Sequence, residues 1–131
     1  FKQDAKIILD HFKKKAANVT GLLSPEERVK EKDRFITDKD VRYLVGTPKA
    51  AGTGVDGLQT VTNRALYYSN SMDSIDYWQS KARTSRVGGD SVAYYTHLIG
   101  RKTIDLKNLR NLQKKEALSS LILDDFRMMV D

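Results

Sequence analysis

Apolar residues recur at helical spacing along several stretches of the chain. Near the start, Ala5, Ile8, Phe12, Ala16 and Val19 fall three to four positions apart, and Gly21 closes the run. In "LSPEE", Ser24 stands as a helix cap, Pro25 as the first helical residue and Glu27 three after the serine. Serine and glutamate at that spacing satisfy each other's free amides. The helix predicted from Pro25 is mostly charged, with Val29 and Phe35 as its apolar positions. "TDKD" repeats the device with Thr37 and Asp40. A short apolar run, Val41 to Val45, follows and is stopped by Gly46 and Pro48.

The most regular pattern is Leu58, Val61, Ala65, Tyr68, Met72, Ile75, Gln79 and Ala82, which alternates steps of three and four. It predicts a helix about 37 Å long, packed in a bundle at a shallow angle. After the "RVGGD" break, Asp90 or Ser91 can cap a helix bearing Val92, Tyr95, Ile99, Leu106 and Leu109. Unbroken to Asp131 that helix would be about 60 Å long, against a diameter of roughly 36 Å for a compact domain of this size. A break is therefore expected at Gly100 or near Lys114–Glu116. Leu118, Leu121, Ile122, Phe126 and Met129 form a last amphipathic segment. No stretch alternates convincingly as a strand. The expected fold is all-α: an up-down four-helix bundle with an extra short or C-terminal helix. It forms one helical domain over residues 1–131 with a Gly-rich loop at 46–57.

Composition narrows the chemistry. With 131 residues the chain fits one domain, and no window reaches the ~20 apolar residues of a membrane span. The absence of cysteine removes disulfides, zinc–thiolate sites and cysteine nucleophiles. No targeting segment is visible, and the first residue is Phe1. "GTGVDG", Gly52 to Gly57, has the G-x-G-x-x-G form of a phosphate cradle. That motif needs a strand running directly into its first glycine and an acidic residue ending a second strand about 20 positions on. Val41–Val45 stops before Gly46, and Asp73 and Asp76 fall within the predicted helix, so the stretch reads as a loop. His11 and His97 lack metal-binding spacing, and Asp73 and Asp76 read as solvated surface. No catalytic residue, metal site or cofactor is expected. "NVT" at Asn18 fits a glycosylation sequon without other secretory signs. Tyr68 and Tyr95 fall on the apolar stripes and are expected in the core, which points Tyr67, Tyr77 and Tyr94 elsewhere.

Charge is uneven. The net charge is +6, yet residues 79–115 alone carry 9 basic and 2 acidic groups, while the segments on either side are net negative. Arg83, Arg86, Arg101, Lys102, Lys107 and Arg110 are therefore expected to be exposed and to form a docking face for an acidic partner.

Some of these residues resemble a known family. "SMDSID" (Ser71 to Asp76), a linker, then "YYT" (Tyr94 to Thr96), with "VRYL" (Val41 to Leu44), is similar to the PsbQ-like extrinsic subunits of photosystem II over roughly Val41 to Asp105. The resemblance implies a non-catalytic four-helix bundle in the thylakoid lumen of a plastid, docked on photosystem II core subunits at the oxygen-evolving side. The expected function is thus a non-enzymatic peripheral subunit of a large membrane-associated assembly. The alternative is a basic helical RNA-binding component of an organellar ribosome or ribonucleoprotein.

Overall fold

The structure, a computed structural model, describes residues 2–51, 56–69, 73–85 and 92–130. Helix α1 (Lys2–Phe12) leads through a 3-10 turn to strand β1 (Ala16–Asn18). Helix α2 (Pro25–Thr37) returns the chain to strand β2 (Tyr43–Val45). The short helix α3 (Pro48–Ala51) and a 3-10 turn at Leu58–Thr60 precede strand β3 (Arg64–Tyr67), helix α4 (Ser74–Ser85), strand β4 (Tyr94–His97) and helix α5 (Asp105–Val130).

The strands form two parallel pairs. β1 lies beside β2 with Ala16 opposite Tyr43, and β3 lies beside β4 with Arg64 opposite Tyr94. A parallel pair cannot be closed by a tight turn, so each needs a crossover of a dozen or more residues. α2 and α4 are those crossovers, which makes β1–α2–β2 and β3–α4–β4 two βαβ units. Bonds continue past the strand ends: the Val19 amide donates to the Val45 carbonyl and the Leu98 amide to the Tyr67 carbonyl, both at 2.9 Å.

Each unit has its own core. In the first, Ile8, Leu9 and Phe12 of α1 pack on Ala5, Ala16 and Val45. In the second, Tyr67, Tyr77 and Leu112 are buried together, with Ala65, Trp78 and Tyr95 around them. The units meet where α3 and the 3-10 turn pack against α4. There the Arg83 guanidinium pairs with Asp56, one residue before Gly57. Gly57 has φ 93°, a conformation that glycine adopts without a Cβ penalty.

The all-α expectation is overturned. The seven-residue stripe from Leu58 to Ala82 spans a 3-10 turn, a strand and a helix rather than one helix. In "ALYY" successive side chains alternate across β3, so Tyr67 is buried and Tyr68 exposed, the reverse of the helical prediction. Tyr77 is also buried, Tyr95 is half-buried and Tyr94 is exposed. Tyr43 and Leu44 of "VRYL" lie in β2, and "YYT", expected within a helix, lies in β4. Phe12 ends α1, and the residues read as its continuation, Ala16 and Val19, lie in and after β1.

One local expectation agrees with the structure. Ser24 Oγ accepts the Glu27 amide at 3.2 Å, and Glu27 Oε2 accepts the Ser24 amide at 2.8 Å. The helix expected from Ser91 is not there to break: Tyr94–His97 is strand β4, Gly100 lies in the turn before α5, and α5 runs from Asp105 through Lys114–Glu116 without interruption for 26 residues. No described helix is long and apolar enough to cross a membrane. The Gly100 turn is tight: a Cβ there would fall 2.7 Å from Thr103 Cγ2. Ser71, Met72, Asp90, Ser91 and residues 52–55 of the glycine stretch lie outside the described residues.

Leu112 is 2% exposed and, among the described residues, is the largest side chain fully enclosed. Leu112→Ala should destabilise the chain by about 2–5 kcal/mol in urea unfolding. Leu121, on the outer half of the same helix and 62% exposed, should cost under ~0.5 kcal/mol when changed to alanine.

Candidate functional site

A polar seam binds α4 to the second strand pair and to α5. The serine at position 80 lies one turn after Tyr77, which lets its hydroxyl donate to the Tyr77 carbonyl at 2.6 Å. The same hydroxyl meets the Tyr67 phenol from β3 at 2.7 Å. The Tyr67 ring stacks on His97 with centroids 4.7 Å apart and planes 10° from parallel. His97 Nε2 lies 3.2 Å from the Tyr77 hydroxyl. Further along α4, the Tyr95 hydroxyl donates to the Lys81 carbonyl at 2.8 Å. The Lys81 ammonium lies over the Tyr95 and Tyr77 rings, at 5.0 and 5.4 Å, and donates to Glu116 of α5 at 3.0 Å. Glu116 is partly solvated, so this ion pair contributes about 0–1 kcal/mol. Its main effect is to fix how α5 sits on α4.

Burial governs the titration of this seam. It pushes the Tyr67 phenol up to about 12, and it also raises Tyr77. It lowers His97, with the Lys81 charge adding in the same direction. His97 is therefore a neutral ring wedged between two tyrosines at the carboxyl end of β4.

A second network supports the first strand pair. The Arg34 guanidinium on α2 donates to the Ala16 carbonyl at 2.8 Å and to the Lys14 carbonyl at 3.1 Å. It also holds Glu31 in a two-pronged pair at 3.0 and 3.1 Å. Glu31 in turn accepts the Asn18 amide at 2.7 Å. Burial by itself would raise the Glu31 carboxyl. The hydrogen bonds from Arg34 and Asn18, with the Arg34 charge, outweigh it and hold the group below its ordinary value.

The six residues expected to form a docking face are not equivalent. Arg101 and Lys102 lie in the turn before α5, Lys107 and Arg110 on its first turns, and all four are exposed. Lys102 has φ 58°, a left-handed conformation uncommon for a side-chain-bearing residue. Arg83 differs from the expected exposure: its side chain is 11% exposed and its guanidinium meets Asp56. Arg86 lies outside the described residues. Asn108, Asn111, Leu112, Lys114 and Lys115 line a cleft of about 240 Å³ along the same helix. The sequence reading missed the tyrosine–histidine seam. Its signal was present in two short aromatic runs: "LYY", which overlaps the end of β3, and "AYYTH", which contains all of β4.

No protein-family model matches the chain. It is 27% identical over 120 residues to the ATP-dependent helicase FUN30 of Saccharomyces cerevisiae, covering 92% of this chain and 10% of that protein. It superposes on the C-terminal part of the Fun30 ATPase domain with a TM-score of 0.71 and 26% identity. That match covers 84% of this chain and 36% of that one. The chain thus spans about a tenth of the helicase and about a third of the solved fragment.

These findings correct the functional expectations. The resemblance to photosystem II subunits fails, because Tyr43–Leu44 of one motif and Tyr94–Thr96 of another lie in strands of parallel pairs, and the chain resembles the C-terminal part of an ATPase domain. The photosystem II core subunits as partners and the thylakoid lumen as location rested on that resemblance and fall with it. The alternative of an organellar ribosomal component is also overturned, as is the non-enzymatic reading, because both relatives are parts of an ATP-driven enzyme.

His97 supplies a pH test of the seam. Its folded pKa lies below the ordinary 6.5, so the unfolded chain binds more protons. The stability from the neutral ring should be fully present above pH 6.5 and lost as pH falls through 6.5 towards the folded value. Urea unfolding between pH 7.5 and 5 should show this loss in the parent chain. In His97→Gln the slope should be flatter over the same range.

Proposed function

We propose that this chain is the C-terminal part of the ATPase domain of an ATP-driven, helicase-like enzyme that acts on nucleic acid. The observation that carries the reading is the sequence match to an ATP-dependent helicase over 92% of this chain. The parallel α/β architecture supports it, since parallel sheets place ligands at the carboxyl ends of their strands. Here those ends lead into Val19–Thr20, Gly46–Thr47, Tyr68–Ser69 and Leu98–Gly100. The outer half of α5 gives independent support for work within a larger body. Leu118, Leu121, Ile122, Leu123, Met128 and Met129 are all more than half exposed, an apolar surface of the kind that is buried against another surface.

The basic face takes its place in the same reading. Arg101, Lys102, Lys107 and Arg110 present cations on and just before the first turns of α5. A nucleic-acid duplex offers a regular row of phosphates to such a face, and counterion release makes that contact strongly salt-dependent.

The test is ATP turnover by the full-length gene product, with and without duplex DNA. Hydrolysis stimulated by the duplex is expected. A folded product with no turnover in either condition contradicts the reading. Reversing Arg101, Lys107 and Arg110 to glutamate should weaken duplex binding and reduce the dependence of log K on log salt by about 3. An unchanged slope removes these residues from the contact.

A further inference from the structure

The amino-terminal rim of the first strand pair lies at the opposite ends of the strands from the loops considered above. The turn Lys13–Lys15 enters β1 there, and Arg42 and Tyr43 enter β2. All five side chains are exposed. Lys13 holds φ 50°, a left-handed conformation in a residue that is not glycine. The turn is clamped from within. Arg34 takes the Lys14 and Ala16 carbonyls, and the Arg42 amide takes the Lys15 carbonyl at 2.9 Å. The backbone acceptors of this turn are thus occupied, while its lysine side chains face water. Among the described residues, no carboxylate lies within ion-pair distance of Lys13, Lys14, Lys15 or Arg42.

An aromatic platform adjoins these cations. The Tyr43 ring stacks on Phe12 with centroids 4.1 Å apart, and His11 meets Phe12 edge-on. Tyr43 is 44% exposed although one face of its ring is covered. Nearby, Asp10, Asp38 and Asp40 offset part of the charge. With Lys39 included, the rim still carries five cations against three carboxylates.

We infer that this rim is a binding site for single-stranded nucleic acid, separate from the basic face of α5. A base would stack on the open face of Tyr43, and the flanking phosphates would meet Lys14, Lys15 and Arg42. An acidic protein surface would use the cations and leave the aromatic platform idle, whereas a single strand uses both. The pre-set turn means that little backbone order is lost on binding.

The experiment is fluorescence anisotropy of a labelled oligothymidylate with the full chain at low salt. Tyr43→Ala should weaken binding roughly 5- to 150-fold, the range that one base stacked on an aromatic ring contributes. Tyr43→Phe should bind as the parent does. Tyr43→Leu keeps apolar packing on Phe12 without a stacking face and should behave as Tyr43→Ala does, which separates lost stacking from lost fold. The double variant Lys14→Glu, Lys15→Glu should lower the salt slope by about 1.4. The Tyr43 effect should persist when Arg101, Lys107 and Arg110 are reversed, and it does not depend on ATP turnover, so it stands or falls apart from the ATPase reading. Parent-strength binding by Tyr43→Ala, equal loss in Tyr43→Phe, or displacement of the oligonucleotide by poly-glutamate at matched charge would each overturn the site.

Discussion

Parallel pairing is the constraint on which the rest of the molecule depends. Once β1 lies beside β2 and β3 beside β4 in the same direction, the chain must travel back between them. α2 and α4 make those returns, and each must bury a face on the strands it connects. That demand explains why α2, which is largely charged and exposed, still carries Arg34 and Glu31 on its inner side. It also explains why α4 brings Tyr77, Ser80, Lys81 and Thr84 to the strands rather than a purely apolar stripe.

Short strands give few ladder bonds, so side chains complete the attachment. Arg34 extends the first pair by gripping carbonyls just before and within β1. In the second pair, Tyr67 and His97 stack across the parallel register, where they stand directly opposite. A neutral His97 suits that position, because a charged ring there would be desolvated between two phenols with Lys81 close by. The same burial of His97 therefore underlies both the stability of this pair and its sensitivity to pH.

The start of α2 was legible because a local device fixes it, whereas the similar Thr37 and Asp40 pattern starts no helix, since Thr37 ends α2 and its hydroxyl donates back to the Asp33 carbonyl. The capping box at Ser24 and Glu27 needs only residues three apart. The strands were not legible for a physical reason. Segments of three or four residues alternate over too short a length to compete with a helical reading. Ala65 and Tyr68 fit a seven-residue helical stripe as well as they fit a strand. Only pairing with Tyr95 and its neighbours, some 30 positions away, decides that Tyr67 turns inward. The same distance hid the candidate site. Tyr67 and Tyr77 lie 30 and 20 positions before His97, and its meaning appears once they are folded against it. Exposure of Arg101, Lys102, Lys107 and Arg110 followed from charge alone, whereas the burial of Arg83 depends on Asp56, 27 positions earlier.

A helical bundle and a parallel α/β unit differ most between Leu58 and His97, and the functional reading stands on the second. Nuclear Overhauser contacts in that region decide between them. The parallel register predicts contacts between Tyr67 and the His97 ring, and between the backbones of Arg64–Tyr67 and Tyr94–His97. Sequential helical contacts running unbroken from Leu58 through Tyr68, with none from Tyr67 to His97, would contradict the account.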